Sequence, residues 1–170
     1  SSAASDVYKR QLISHSNITI HYVTSDPNDV IFDIAKEQKQ IKPYFIGENK
    51  LISLFLKMDA KIVVMTMPDL DNFHIKRSYV SSDVEYIYMD HGLSSINMLA
   101  RKGAVDHFDT VFCAGQHIID EMKATEEHYG LPHKNLIAYG YGFMDGLIKT
   151  CSTDSTIASG DFILLAPSHQ

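Results

Sequence analysis

Short, continuously apolar segments alternate with segments of helical periodicity along most of this chain. Six β-branched and aromatic runs are predicted to form strands, at residues 18–23, 42–46, 62–66, 84–89, 110–114 and 136–139. The clearest helical stripe between them is Leu51, Leu54, Phe55 and Met58. Strands that are apolar throughout and alternate with helices are typical of a parallel sheet covered on both faces. The sequence therefore predicts an α/β fold with a doubly wound, Rossmann-like sheet.

Capping residues indicate where the helices begin and end. Asp26 as N-cap and Pro27 as first helical residue predict the start of the first helix. A longer helix, with Ile118, Met122, Thr125 and Tyr129 on its apolar face and Asp120, Glu121, Lys123 and Glu127 facing water, is predicted to end at Gly130. We also expect helices at 95–102 and 143–149, and loops at 68–77 and 151–160.

Composition excludes several classes of protein. The chain has 170 residues, 45% of them hydrophobic, which suits one globular domain with a sizeable core. Its 15 basic and 21 acidic residues give a net charge of −6, which argues against a nucleic-acid partner. Cys113 and Cys151 lack CxxC spacing and the histidines are scattered, so we expect no metal site and no disulfide, and a reducing cytoplasm fits best.

Both ends of the chain differ in character from its middle. Residues 1–17 begin with a segment that has no apolar periodicity, and we interpret them as a leader that is disordered or no part of the natural protein. Residues 162–166 (FILLA) are typical of a buried strand that needs neighbours on both faces. We therefore expect an α/β domain at 18–160, truncated after the first strand of a second domain at 161–170.

The carboxyl ends of the strands are where an α/β sheet gathers its functional residues. After the fourth predicted strand stands His91, whose imidazole suits proton transfer near neutral pH. Gly92 follows and allows a tight turn, and the hydroxyls of Ser94 and Ser95 are predicted to cap the next helix. His91 is a candidate catalytic base. The alternative is that it only forms a hydrogen bond to a neighbouring loop.

Two further strand exits combine a glycine with the start of a helix. Gly115, Gln116 and His117 would suit an anionic group, although a plain helix N-terminus has the same pattern. At the other exit, Asp145 follows Gly142 where a GxGxxG motif would have its third glycine, so the dinucleotide fingerprint fails. With no phosphate P-loop either, we expect no cofactor.

Four stretches together carry a resemblance to a known family. They are residues 86–95 (YIYMDHGLSS), 101–115 (RKGAVDHFDTVFCAG), 136–147 (LIAYGYGFMDGL) and 162–170 (FILLAPSHQ). From about residue 20 onward the chain resembles the first half of the CDP-glycerol glycerophosphotransferase family, whose members build the poly(glycerol phosphate) chains of teichoic acids and capsule polymers. The resemblance implies a glycosyltransferase-B architecture, in which this chain is the acceptor-side Rossmann-like domain.

The resemblance also implies a reaction. A hydroxyl of the growing polymer would attack the β-phosphorus of CDP-glycerol and release CMP, with His91 as the base or as a phosphate-stabilising residue. Substrate contacts are then expected from residues at the strand exits, namely Gly92, Ser94, Ser95, Gly115, Gln116, His117, Gly142, Asp145, Pro167 and Ser168. Because the second domain would hold most of the CDP-glycerol, we expect the 170 residues alone to be inactive.

Departures from the family pattern leave the acceptor open. Family members often have HGTPLK where this chain has His91, Gly92, Leu93, Ser94 and Ser95, and Phe143-Met144 replace a Pro-Arg pair. A lipid-linked polyol phosphate or a sugar is expected as acceptor, and contact with the inner face of the membrane would come from parts outside these residues. Alternative functions are a UDP-sugar glycosyltransferase or 2-epimerase of the same architecture, and a non-catalytic flavodoxin-like binding module.

Overall fold

The structure is a computed structural model that describes residues 17–90 and 92–153. In chain order its elements are β1 (Ile20–Thr24), α1 (Ile31–Glu37), β2 (Ile41–Phe45), a 3-10 turn (Glu48–Lys50), α2 (Leu51–Leu56), β3 (Ile62–Met65), β4 (Glu85–Met89), α3 (Ile96–Leu99), β5 (Thr110–Cys113), α4 (Gln116–Tyr129), β6 (Asn135–Ala138) and α5 (Gly142–Thr153). All six predicted strands are confirmed. The predicted strand at 162–166 and the leader, apart from Asn17, lie outside the described residues.

The strands form two parallel sheets, which confirms the α/β class. β1 pairs with β2, and the larger sheet has the order β3-β4-β5-β6. Each strand of the larger sheet therefore lies beside the strand that follows it in the chain. Because crossovers between parallel strands are right-handed, a sheet that grows in one direction carries its connecting helices on one face.

The hydrophobic core lies on that face of the larger sheet. The register pairs Val63 with Tyr86 and Tyr88 with Val111, so these four side chains point the same way. They belong to a buried cluster that also takes in residues of α2, α3 and α4, among them Phe55, Ile96, Ile118 and Met122. Burial of these side chains holds the helices against the sheet.

The opposite face of the larger sheet, here called the open face, is apolar but only partly buried. Ile87 at its centre is 7% exposed, whereas Ile62 and Val64 on β3 are 57% and 47% exposed and Ile137 on β6 is 39% exposed. Helices were predicted on both faces. Among the described residues, that prediction is confirmed for the core face, while the edges of the open face keep their apolar side chains in contact with solvent.

The segment that joins β3 to β4 has no helix or strand, which confirms the loop predicted at 68–77. The loop is not polar throughout, because Leu70 is fully buried in the core. Asp69 and Asp71 adopt positive φ angles of 74° and 61°, a conformation that Asp tolerates better than most residues. The guanidinium of Arg77 donates to the carbonyl oxygens of His107 and Val84, which ties this segment to the rest of the sheet.

Helix boundaries differ from the predictions in three places. α1 begins at Ile31 and not at Pro27, because the Asp26 carboxylate accepts the Asn28 N–H in a local turn while Asp29 accepts the N–H of Ile31. α3 covers only Ile96–Leu99, and α5 extends through Cys151, which was predicted to lie in a loop. No helix in the described ranges is long and apolar enough to cross a membrane.

Candidate functional site

The carboxyl ends of β4, β5 and β6 lie side by side, as the parallel register requires. Asp90 follows β4, Ala114 and Gly115 follow β5, and Tyr139 follows β6. The Tyr139 hydroxyl donates to the backbone carbonyl of Asp90, so this side chain reaches from the edge strand across β5 to β4. Its ring packs 5.7 Å from the ring of Phe112 between them. These contacts join three strand exits into one edge, which is the candidate site.

Asp90 is the most buried carboxylic acid at this edge, with 6% of its surface exposed. Its Oδ1 accepts the N–H of Gly92 at 3.3 Å, which turns the chain as it leaves β4. Burial raises the pKa of Tyr88 to about 12 and that of the Cys113 thiol to about 11, and the Asp90 carboxylate adds to both shifts. Tyr88 and Cys113 therefore stay protonated near neutral pH.

The first predicted group of site residues follows β4 directly. His91 lies outside the described residues. Ser94 is exposed, and Ser95 is the N-cap of α3, where its Oγ accepts the Met98 N–H at 3.2 Å. The capping role predicted for the hydroxyls is confirmed at Ser95. Its Oγ also donates to Glu121, so both of these hydrogen bonds are made within the protein.

The second predicted group lies at the start of α4. His117 Nε2 is 3.1 Å from the carbonyl oxygen of Leu93, to which its N–H donates, and Gln116 donates to Asp120. A Cβ atom at Gly115 would lie 2.9 Å from Cε1 and Nδ1 of the His117 ring. Gly115 is therefore needed for close approach, since any side chain there would displace the ring that contacts the chain after β4.

The third predicted group is at the start of α5. Gly142 is buried, Asp145 is exposed, and Gly140 turns the chain with a φ angle of 82°. The structure brings the first two groups together through His117 and Leu93, and it joins the exit of β6 to that of β4 through Tyr139. Pro167 and Ser168 lie outside the described residues.

Sequence reasoning missed two residues of this edge. Tyr139 was predicted only as the end of a strand, and its hydroxyl gave no signal of a partner 49 residues earlier. Glu121 was predicted to face water, but its Oε1 accepts from Ser95 Oγ at 2.8 Å and from the Asn97 N–H at 2.6 Å. A charged residue beside the apolar stripe of a helix is the only hint that the sequence offers.

A small cavity of about 190 Å³ lies at the carboxyl ends of β1 and β2. It is lined by Val23, Thr24, Ser25, Ile46 and Leu51, and it was not predicted. The Thr24 hydroxyl donates to the buried Asp29 carboxylate, so this side chain already has an internal partner. Within the described ranges, no group of three or more His, Cys, Asp or Glu side chains is placed to hold a metal ion.

No protein-family model, curated protein or solved structure matches this chain.

Proposed function

We propose that this chain is the acceptor-side domain of a glycosyltransferase-B enzyme that transfers glycerol phosphate from CDP-glycerol to a hydroxyl of a teichoic-acid-like or capsule polymer. One observation supports the proposal most. Three of the four stretches that carry the resemblance contain β4, β5 and β6, which are neighbouring strands with their exits at one edge. That edge is where α/β proteins bind and transform their ligands.

The proposed reaction needs a base and a site that tolerates phosphate. The acceptor oxygen forms a bond to the β-phosphorus of CDP-glycerol, the bond from that phosphorus to the oxygen of CMP breaks, and the hydroxyl proton passes to His91. An imidazole suits this role because its unperturbed pKa lies close to neutral pH. In this proposal a second domain holds the CDP-glycerol donor, and the acceptor binds at the edge formed by the exits of β4, β5 and β6.

The test is CMP release from CDP-glycerol, with a lipid-linked glycerol phosphate acceptor. It uses a polypeptide that extends this chain through the second domain implied by the resemblance. We predict that His91→Ala lowers turnover by about 100-fold or more, the scale on which a lost general base acts. His128→Ala is the matched control, because that exposed histidine lies at the far end of α4.

Other results would contradict the proposal. Turnover of a UDP-sugar in place of CDP-glycerol would assign the protein to the glycosyltransferases or 2-epimerases of the same architecture. Ligand binding without turnover of any nucleotide-linked donor would favour the non-catalytic module. Equal turnover by the His91→Ala and His128→Ala variants would remove His91 from the reaction.

A further inference from the structure

Helix α4 holds the segment that follows β4 through one stripe of polar side chains. His117, Glu121 and Thr125 are four residues apart, so they lie above one another on the same side of the helix. Each bonds to the chain between β4 and the end of α3. The contacts are His117 Nε2 with Leu93 O at 3.1 Å, Glu121 Oε1 with Ser95 Oγ at 2.8 Å and with Asn97 N at 2.6 Å, and Thr125 Oγ1 with Asn97 Nδ2 at 2.8 Å.

Glu121 makes two of these contacts, one with the Ser95 hydroxyl that caps α3 and one with the backbone N–H of Asn97. A four-residue helix is too short to be stable by itself, and its first N–H groups have no partner inside it. Ser95 Oγ accepts the N–H of Met98, and the Glu121 carboxylate accepts the N–H of Asn97. Two N–H groups at the start of α3 therefore have acceptors, one from the N-cap of the helix and one from a carboxylate on α4.

The helix that carries Glu121 is anchored in the hydrophobic core. α4 has 14 residues, and Ile118 and Met122, on either side of Glu121, are 0% and 1% exposed in the core. The Thr125 hydroxyl donates to the Glu121 carbonyl at 2.8 Å and accepts from the Asn97 amide, so it braces the same contact. The backbone position of Glu121 is therefore set by the packing of α4 in the core and by Thr125.

We infer that Glu121 is a positioning residue that fixes residues 92–95, the β4-exit loop, relative to the core through Ser95 and Asn97. Its charge makes these hydrogen bonds stronger than neutral ones. The loop begins with Gly92, whose N–H donates to Asp90 Oδ1 at 3.3 Å, so the geometry of the loop also sets this contact at the candidate site. The link from this geometry to catalysis rests on the proposed function, whereas the link from Glu121 to the loop does not.

Amide hydrogen exchange in the 170-residue chain tests the structural part. In Glu121→Ala we expect the Asn97 and Met98 amides to exchange about tenfold faster, the effect of losing a charge-assisted hydrogen bond. The Ile118 and Met122 amides in the same helix should keep their rates. Glu121→Gln should show an intermediate rate, since its amide oxygen still accepts. Glu127→Ala removes a carboxylate from the exposed side of α4 and is the matched control.

Two exchange results would overturn the inference. One is equal exchange at Asn97 and Met98 in the Glu121→Ala and Glu127→Ala variants. The other is faster exchange throughout α4 in Glu121→Ala, because this would show a general loss of stability and no specific hold on the loop.

Activity of the longer polypeptide tests the link to catalysis. Misplacing a loop at the reacting centre should lower kcat for CMP release about tenfold while KM for CDP-glycerol stays within about twofold, because the donor is held elsewhere. Glu121→Gln should recover most of the lost turnover. A raised KM with unchanged kcat would contradict a positioning role. If the unaltered polypeptide releases no CMP, the proposed function fails, and the exchange experiment still decides whether Glu121 holds the loop.

Discussion

The two cysteines of this chain differ completely in their surroundings. Cys113 at the end of β5 is fully buried, and burial together with Asp90 raises its thiol pKa to about 11, whereas Cys151 on α5 is exposed. The thiolate is the nucleophile that attacks iodoacetamide and displaces iodide, so a raised thiol pKa and lack of access both protect Cys113. We predict that one thiol per folded chain reacts with iodoacetamide at pH 8, and two after unfolding in urea.

Mass spectrometry of the alkylated protein gives this count directly. The Cys151→Ser variant is the control, and its folded form should react at no cysteine. Alkylation of Cys113 in the folded chain at the rate of Cys151 would show that the end of β5 opens to solvent, and it would contradict the packing described for the candidate edge.

At the scale of elements, Arg77 organises the connection between β3 and β4. Its guanidinium donates to the carbonyls of His107 and Val84 and to Asp109 at 2.8 Å, and it lies 4.5 Å from the centre of the Tyr86 ring. We predict that Arg77→Ala lowers the free energy of unfolding by about 2 kcal/mol, through the loss of its three hydrogen bonds and of its packing on the Tyr86 ring. Arg77→Lys should recover less than half, because one ammonium group cannot reproduce the planar fork.

Urea unfolding measures this difference, with Lys57→Ala at an exposed position as the control. An Arg77→Lys variant as stable as the unaltered protein would show that charge alone matters there. The sequence could not show how this connection packs. Leu70 is a single buried residue in a polar stretch, and two of the groups that Arg77 contacts, the His107 carbonyl and the Asp109 carboxylate, lie 30 and 32 residues further along the chain, which no local pattern encodes.

Strands were more predictable than helix ends for a physical reason. A strand buried in a parallel sheet requires a continuous apolar run, which is legible from the sequence alone, and all six runs formed strands in the described residues. Helix starts depend on the turn that the chain makes before the first helical residue. Asp26 suits an N-cap, but its carboxylate accepts the Asn28 N–H, and the N-cap position of α1 is Val30. The N–H of Ile31 is accepted by the buried Asp29, which Thr24 holds.

The sequence predicted that the exits of β4, β5 and β6 lie together, but it did not predict the contacts between them. The rule that places ligands at the carboxyl ends of parallel strands led to Gly92, Gly115 and Gly142. Glu121 and Tyr139 act across strands and helices, and such pairings depend on the three-dimensional arrangement of elements that have no relation in sequence spacing.

At the scale of the whole molecule, the two faces of the larger sheet differ in how much their side chains contribute to stability. Val63 and Val64 are neighbours on β3, and their exposed fractions are 9% and 47%. We predict that Val63→Ala lowers the free energy of unfolding by about 2 kcal/mol and Val64→Ala by about 1 kcal/mol or less. The pair controls for strand propensity, because both changes are the same substitution in the same strand. Equal losses in urea unfolding would show that the open face is covered.

The strand order of the larger sheet has a consequence for folding during synthesis at the ribosome. Each new strand pairs with the one synthesised just before it, so β3, β4, β5 and β6 can be added one after another as the chain emerges. Among these four described strands, none has to wait for a distant partner, and none has to be inserted between two that are already paired. At every moment of synthesis a single growing edge is exposed on that side of the sheet, which shortens the time during which a neighbouring nascent chain can pair with it.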